Sequence, residues 1–181
     1  GRQRQFHQIG VEMFGETSAL ADAECISLAV NFLHKLGLNE LCVEINSLGC
    51  NTCRSAFKQD LKSVFSKYLN DLCEDCKVRY EKNPLRILDC KDEKCIKIFE
   101  NSDIQKLINK NFICEECEQH FNDLQEYLKI LGIKYSINPK LVRGLDYYNR
   151  TVFEIKSINL GSQNAVCGGG RYDGLVEMRG G

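Results

Sequence analysis

The sequence predicts a mixed α/β (α+β) fold in which a small antiparallel sheet core is interrupted by a mainly helical insertion. Alternating apolar residues towards both ends of the 181-residue chain are typical of strands, whereas the middle has helical periodicity and little alternation. Eight of the eleven cysteines lie in that middle block. We therefore expect a discontinuous core, residues 1–49 and 138–181, and a cysteine-rich helical insertion, residues 50–137.

Composition excludes several classes of protein. Hydrophobic residues make up 43% and charged residues 27%, with a net charge of −1, which is ordinary for a globular chain and excludes disordered and collagen-like sequences. The longest uncharged apolar stretch, Cys25–His34, is too short and too polar to cross a membrane, and no basic-then-apolar leader opens the chain. We expect no membrane partner and a cytoplasmic location, because an odd cysteine count without a leader argues against a secreted disulfide scaffold.

The first residues alternate as in a strand. Ile9, Val11 and Met13 fall on one face, and Gln8 and Glu12 on the other, about 13 Å apart along an extended strand. This polar face suits one elongated ligand lying along a sheet. A solvated edge strand gives the same pattern.

A helix and a second strand follow. Thr17 or Ser18 can cap the helix, and Gly37 is a suitable C-terminal stop. Between them the apolar residues at helical spacing are Cys25, Leu28, Ala29, Phe32, Leu33 and Leu36. Residues 41–46 then alternate as a short strand.

Two amphipathic helices are predicted in the insertion. One is indicated by Phe57, Leu61, Val64, Phe65 and Tyr68, and the other by Phe121, Leu124, Leu128 and Leu131. Residues 46–138 contain 15 basic and 15 acidic side chains, so charge does not by itself indicate a nucleic-acid surface.

Four close cysteine pairs suggest metal sites, with Zn²⁺ as the candidate ion, because Cys-x2-Cys is a common zinc-ligand spacing. The candidate ligands are Cys50, Cys53, Cys73, Cys76, Cys90, Cys95, Cys114 and Cys117. In a nested arrangement the second pair joins the third and the first joins the fourth. A sequential arrangement satisfies the same spacings, and buried thiols without metal are the alternative to both. His120, three residues after Cys117, is a structural residue or a substitute ligand.

Two segments near the C-terminus carry chemistry. In Leu141-Val-Arg-Gly-Leu-Asp-Tyr-Tyr-Asn-Arg150, an arginine and paired tyrosines precede a strand-like stretch. The Arg143 guanidinium suits a carboxylate or phosphate, because it donates two parallel hydrogen bonds; a salt bridge to Asp146 is the alternative. Gly168-Gly-Gly-Arg-Tyr-Asp-Gly174 either brings backbone close to a nucleotide or forms a tight turn.

In combination these segments resemble histidyl-tRNA synthetases. Gly1-Arg-Gln-Arg-Gln-Phe-His-Gln-Ile-Gly-Val-Glu12 is similar to the later half of the second class II signature. The segments 141–149 and 168–175 are similar to two histidine-specific segments of that family. Asn83-Pro-Leu-Arg-Ile-Leu-Asp-Cys-Lys91 resembles a stretch of the bacterial insertion domain. Their order and spacing agree along essentially the whole chain.

The resemblance implies an aminoacyl-tRNA synthetase, a ligase that activates histidine with ATP to histidyl-adenylate and transfers it to tRNA(His). The implied partners are histidine, ATP with Mg²⁺ as substrate, and tRNA(His), whose acceptor arm the insertion approaches. The parent protein is expected to be a homodimer.

The resemblance also implies roles for individual residues. Glu12 and Tyr148 hold the imidazole of the substrate, with Tyr147 beside them and Tyr172 lining the same pocket. Gln8 binds the α-amino group.

Two arginines are expected at the nucleotide. Arg143, the catalytic residue, bridges the histidine carboxylate and the α-phosphate of ATP, and Arg2 reaches the ATP phosphates. Such transfers need positioning and electrostatic stabilisation more than covalent chemistry.

Several parts of a full-length family member do not occur in this sequence: the first and third signatures, an Arg-Pro-Glu-Gly-Thr stretch and an anticodon-binding domain. The chain resembles an internal piece of the catalytic region. We expect it not to adenylate histidine alone, since losing one preorganised charge donor costs about 10²–10³ in rate. Two alternatives are a catalytically silent regulatory or tRNA-sensing domain and a zinc-stabilised structural module.

Overall fold

The computed structural model describes residues 4–110, 112–160 and 164–180. Its helices in those ranges are α1 (Ala19–Lys35), α2 (Asn51–Phe65), α3 (Glu74–Lys82), α4 (Glu93–Phe99), α5 (Ser102–Ile108), α6 (Glu115–Ile130) and α7 (Leu175–Met178). Its strands are β1 (Leu41–Ser47), β2 (Tyr135–Ile137), β3 (Asn149–Ser157) and β4 (Ala165–Arg171). Short 3-10 turns cover Ser66–Tyr68 and Pro84–Ile87. None of the helices described has the length and apolar character that a membrane span requires.

The four strands form one sheet in the order β2-β1-β3-β4. β3 is antiparallel to both neighbours, with Val43 opposite Ile155 on the β1 side and Cys167 opposite Ile155 on the β4 side. β2 is parallel to β1, so the predicted antiparallel sheet is corrected to a mixed one at this edge. The reason is the long crossover through α2–α6, which returns the chain to the same end of the sheet.

One face of the sheet packs on helices α1 and α6. Val43, Ile45 and Ile155 lie on this face, because alternate residues of a strand point the same way. They meet Ile26 of α1 and Leu128 of α6, both fully buried. We call β1–β4 with α1 and α6 the sheet unit.

The helices α2–α5, which we call the helical unit, surround a second core. Its fully buried members include Leu61, Phe65, Ile87 and Ile104, and residues 141 and 142, from the loop before β3, and residue 152 of β3 also belong to it. Within the predicted insertion, α6 packs on the sheet and β2 is one of its strands. The domain division at residues 50 and 137 therefore stays a prediction.

Helix α1 confirms the signals that predict it. Ser18 is the N-cap in extended conformation, and its backbone N–H donates to the Glu16 carboxylate at 2.9 Å. Just beyond the C-terminal end, Gly37 has a φ of +88°, the left-handed conformation that glycine adopts without a steric penalty.

The strand predicted at the start of the chain is wrong. Residues 6–14 are irregular, and their side chains are exposed, with Phe6 at 70% and Ile9 at 78%. Alternation gives a segment two faces, but a strand also needs a neighbouring backbone to pair with its N–H and C=O groups. In the described part of the chain no strand pairs with this segment.

Candidate functional site

Three tyrosine rings pack together where β3 begins and β4 ends. Tyr147 and Tyr148 lie just before β3, and Tyr172 directly follows β4. The ring centroids are 4.8 Å apart for Tyr147 and Tyr148, and 5.9 and 6.4 Å from these to Tyr172. The antiparallel pairing of β3 with β4 places them together, because Asn149 lies opposite Arg171. We call these rings the tyrosine cluster.

Glu12 faces the tyrosine cluster from the N-terminal segment. Burial, together with the nearby Glu12 carboxylate, raises the pKa of Tyr172 to about 12. Burial and the neighbouring Tyr147 also raise the pKa of Tyr148, with a smaller contribution from Glu12. Both hydroxyls therefore stay protonated at neutral pH and can donate hydrogen bonds. Phe14 lies edge-on to Tyr172 at 6.5 Å.

No strand brings Gln8, the second residue of the N-terminal segment predicted to bind histidine, to the tyrosine cluster. Gln8 lies in the irregular, exposed stretch four residues before Glu12. Arg2 lies outside the described residues.

Arg143 crosses the polar face of the sheet. Its Nη1 donates to the Glu154 carboxylate of β3 at 2.9 Å, so the predicted alternative partner, Asp146, is wrong. Asp146 instead accepts a hydrogen bond from the Asn83 side chain. The Arg143 Nε is buried without a hydrogen-bond partner among the described residues. The bond from Nη1 therefore holds the guanidinium in place, while Nε has no hydrogen-bond partner among the described residues.

The triple glycine lies within β4, so the predicted tight turn is wrong for Gly168–Gly170. A Cβ on Gly168 would lie 2.5 Å from Arg143 Nη1, and a Cβ on Gly170 would lie 3.0 Å from the Tyr148 ring. On the opposite face of the strand, a Cβ on Gly169 would lie 2.9 Å from the Phe153 ring. The run of glycines lets Arg143 and Tyr148 lie directly on the strand.

The segment that carries these groups, residues 141–150, is held from both units; we call it the Arg–Tyr segment. Asn46 of β1 donates to the Leu141 carbonyl at 3.0 Å. Arg54 of α2 donates to the carbonyl of Asp146 at 2.8 Å and to that of Tyr148. The position of the tyrosine cluster thus depends on the start of α2 as well as on the sheet.

Sequence reasoning missed a buried ion network beside the site. The Arg171 guanidinium lies 3.0 Å from the Asp22 carboxylate and 2.9 Å from that of Asp173, and Asp22 also pairs with His120 at 2.8 Å. Burial alone would raise the pKa of Asp22, but the His120 hydrogen bond and the Arg171 charge outweigh it and lower this pKa. His120 is therefore a structural residue, one of the two roles the sequence allows.

The eight paired cysteines form two groups, and the four sulfurs of each lie within 4.8 Å of one another. The junction cluster consists of Cys50, Cys53, Cys114 and Cys117. The helical cluster consists of Cys73, Cys76, Cys90 and Cys95. This grouping is the nested arrangement and not the sequential one. His120 is not part of either group.

Helix N-termini build both clusters. Cys50 and Cys114 are the N-caps of α2 and α6, and Cys73 is the N-cap of α3. The Cys53 backbone amide lowers the pKa of Cys50 to about 7, whereas burial raises the pKa of Cys117 to about 12. The four side chains of the junction cluster therefore differ in how readily they ionise.

A groove of about 550 Å³ lies elsewhere, between the start of α1 and α6. It contains none of the residues predicted to bind histidine or ATP. Its lining includes three carboxylates, from Glu115, Glu116 and Asp123, and the guanidinium of Arg150, which is already paired with Glu116. This lining is a poor match for a carboxylate or phosphate ligand, so the candidate site remains the Arg–Tyr segment with the tyrosine cluster.

Comparisons with known proteins agree along the chain. A family model described as histidyl-tRNA synthetase matches residues 1–57. Over all 181 residues the chain is 52% identical to the histidine–tRNA ligase of Caldanaerobacter subterraneus subsp. tengcongensis and 54% identical to that of Dictyoglomus thermophilum. It spans 42% of the length of each.

A solved structure agrees with the fold. The apo histidyl-tRNA synthetase of S. aureus is similar with a TM-score of 0.66 and 31% identity, over 92% of this chain and 40% of that chain. This similarity confirms the predicted mixed α/β fold class.

Proposed function

This chain is a homologue of the histidine–tRNA ligases over its whole length, and we propose that it forms part of the site where such an enzyme activates histidine. The homology confirms the relationship predicted from the three sequence segments. The proposed reaction of the whole protein is attack of the histidine carboxylate on the α-phosphate of ATP, release of pyrophosphate, and transfer of histidine to tRNA(His).

The observation that carries the proposal is the meeting of Glu12 with the tyrosine cluster from three separate stretches of sequence. An imidazole ring has two nitrogens that need partners. The Glu12 carboxylate accepts from one, and the Tyr148 hydroxyl pairs with the other, with Tyr147 beside them. The Tyr172 hydroxyl is buried beside the Glu12 carboxylate, so this pocket has polar groups that suit a polar ligand. Side chains lacking the ring nitrogens would leave these groups unpaired.

Arg143 supplies the positive charge in this proposal. Its bond to Glu154 fixes the guanidinium over Gly168, and it leaves the buried Nε without a hydrogen-bond partner among the described residues, so the guanidinium is not fully neutralised by the protein. A preorganised donor of this kind stabilises the charge that develops as the carboxylate attacks phosphorus. Gln8 for the α-amino group and Arg2 for the ATP phosphates belong to the proposal on the resemblance alone.

The partners of the whole protein are part of the same proposal. They are histidine, ATP with Mg²⁺, and tRNA(His), and the whole protein is a homodimer. We also propose the discontinuous core of residues 1–49 and 138–181 around the insertion of residues 50–137. The names of the relatives support histidine and tRNA(His) as partners, whereas ATP with Mg²⁺, the homodimer and the domain division rest on the resemblance alone.

Histidine binding by the chain tests the proposal. Isothermal titration of L-histidine should give saturable binding, and Glu12→Gln should weaken it about 10- to 100-fold, because a hydrogen bond to a charged group is lost. Glu16→Gln is the matched control, since Glu16 lies on the same segment with its carboxylate on the Ser18 amide. Histidine binding that Glu12→Gln leaves unchanged would contradict the assignment.

Catalysis by the chain alone is a separate measurement. Histidine-dependent ATP–pyrophosphate exchange should stay at the level of an enzyme-free blank, because the arginine of the third signature does not occur in this sequence. Exchange above the blank would contradict that expectation and leave the histidine site in place.

The two thiol clusters favour a second candidate function. A metal-stabilised module that folds around its cysteines and contacts tRNA needs no histidine site. Unfolding by chelator combined with the absence of histidine affinity would favour this module.

A further inference from the structure

The sulfur spacing in both clusters fits a tetrahedral metal ion. A Zn²⁺ ion bound by four thiolates at about 2.3 Å places the sulfurs about 3.8 Å from one another. Cys50 and Cys53 have their sulfurs 3.5 Å apart, and Cys73 and Cys90 have theirs 3.7 Å apart. The thiols are free, and these distances exceed the disulfide bond length of about 2.05 Å.

Backbone amides are aimed at the sulfurs of both clusters. In the junction cluster the Cys50 N–H donates to Cys117 Sγ at 3.2 Å, and the Cys114 N–H donates to Cys53 Sγ at 3.1 Å. Each helix start thus donates to a sulfur of the other helix. Such donors stabilise negative charge on sulfur and fix the orientation of metal ligands.

The helical cluster has the same kind of support. The Cys73 N–H donates to Cys95 Sγ and the Asp92 N–H donates to Cys90 Sγ, both at 3.4 Å. Four thiolates without histidine or carboxylate form a closed ligand set that suits Zn²⁺ or iron and leaves no position for a substrate; of these, Zn²⁺ is the ion without redox chemistry that structural Cys₄ sites hold.

We propose that each cluster binds one structural Zn²⁺, and that the ion of the junction cluster holds the Arg–Tyr segment in position. The second part rests on the proposed function only in its assumption that the Arg–Tyr segment helps to bind histidine. The metal sites themselves are independent of it.

The contacts on either side of the junction cluster carry the second part. Arg54 directly follows Cys53, and its guanidinium holds the carbonyls of Asp146 and Tyr148. On the other helix Glu116, between the two cysteines, forms an ion pair with Arg150. The C-terminal half of the Arg–Tyr segment, residues 146–150, is therefore tied to residues next to cysteines of the junction cluster.

The backbone makes the same connection. Gly49 precedes Cys50 with a φ of +68°, and a Cβ on it would lie 2.6 Å from the Cys53 Cβ, so only glycine fits. Its carbonyl accepts from the Arg150 N–H at 2.8 Å. Among the described residues, the helical cluster forms no such hydrogen bond or ion pair with the Arg–Tyr segment; on that side the link is the hydrogen bond from Asn83, beyond the end of α3, to Asp146.

The test uses two matched single variants of the full chain, Cys114→Ser and Cys73→Ser. Each replaces the N-cap of a helix, and serine is itself a good N-cap, so the substitution removes a metal ligand while keeping the cap. Cys25→Ser, in α1 and outside both clusters, is the control.

Native mass spectrometry of protein purified without chelator counts the ions. The wild type and Cys25→Ser should each exceed their denatured masses by two Zn²⁺, and each ligand variant by one. Equal native and denatured wild-type masses would overturn the metal sites. If a variant fails to fold, metal-free wild type is titrated with Co²⁺ instead. Thiolate-to-cobalt absorption that saturates at two equivalents supports the two sites, and the absence of this absorption overturns them.

Hydrogen exchange distinguishes the two ions. Cys114→Ser should speed exchange of amides in residues 144–150 at least about tenfold, whereas Cys73→Ser should affect only α3, α4 and the turn between them. Equal exchange of residues 144–150 in both variants would overturn the coupling. Because neither readout uses histidine, a failure of histidine binding leaves these results intact, and the reverse also holds.

Discussion

The helical unit and the sheet unit are organised around different chemistry. The helical unit has one helix of 15 residues and three short ones, two of them only seven residues long, and Cys76 and Cys95 lie fully buried in its core. The sheet unit has a continuous strand ladder and a buried ion network of Asp22, Arg171 and His120. Short helices bury little apolar surface and are marginal alone, so they need cross-linking; strands already satisfy their backbone through their neighbours.

This difference shows that the stability of one chain can depend on both the zinc concentration and the pH. The proposed metal ions stabilise the helical unit, and charge pairing stabilises the sheet unit. The predictions that follow separate the two dependences.

Chelation should have the largest effect. Zinc binding to small structural sites is worth about 10–16 kcal/mol at neutral pH, and this free energy is also folding free energy. Removing the ions with EDTA should lower the thermal unfolding midpoint and the helical circular dichroism, while amides of β1 and β3 remain the slowest to exchange. Excess Zn²⁺ should restore both signals. Unchanged unfolding in EDTA would remove the distinction between the two units.

Asp22→Asn should have the next largest effect, confined to the sheet unit. It leaves Arg171 buried with one fewer carboxylate and should lower the free energy of unfolding by about 3 kcal/mol. Urea unfolding with zinc present measures this. Asp60→Asn, at an exposed pair with Lys110, is the control, with an expected loss below about 1 kcal/mol. Equal losses would contradict the network's importance.

The same carboxylate predicts a pH dependence. The pKa of Asp22 is lowered below its ordinary value of 3.8, so its contribution is complete above that pH and is lost as pH falls through the lowered pKa. The wild type should therefore lose more stability on acidification than Asp22→Asn. Parallel urea midpoints at descending pH would contradict this.

Arg54→Met should have a moderate effect on binding with the metals retained. It removes the donor to the Asp146 and Tyr148 carbonyls and should weaken histidine binding about tenfold, or about 1.4 kcal/mol. Native mass should still show two Zn²⁺. Lys67→Met, at an exposed pair with Asp103, should leave both readouts unchanged. Unaltered histidine affinity in Arg54→Met would break the link between α2 and the pocket.

Glu116→Gln should have the smallest effect. Its partner Arg150 is mostly buried, but the Glu116 side chain is 76% exposed, and surface ion pairs contribute about 0–1 kcal/mol. The thermal midpoint should shift by no more than a few degrees, with the zinc content unchanged. Loss of a metal ion would show that this pair supports the junction cluster directly.

Local signals in the sequence predicted much of the fold. The limits of α1 follow from Ser18 and Gly37, and β1 and β3 follow from alternation, because these signals depend on residues close in sequence. The four cysteine pairs follow from close spacing for the same reason, but the spacing left open which pairs join, and the structure shows the nested arrangement.

Contacts between distant residues could not be predicted in this way. The alternation of residues 6–14 does not reveal whether a partner strand lies beside them. The spacing around Arg143 suggested Asp146, three residues away, whereas the bound carboxylate is Glu154 on the adjacent strand. Asp22 and Arg171 are separated by 149 positions, and only the sheet brings them together.

The separation of the cysteines along the chain has a consequence for synthesis on the ribosome. Cys73 and Cys95, in the helical cluster, are 22 residues apart, whereas Cys50 and Cys117, in the junction cluster, are 67 residues apart. Because the chain is made from its N-terminus, all four cysteines of the helical cluster have been synthesised before α6 is made. We expect the helical unit to assemble first, with Cys50 and Cys53 waiting for their partners, so the histidine pocket is among the last parts of the molecule to form.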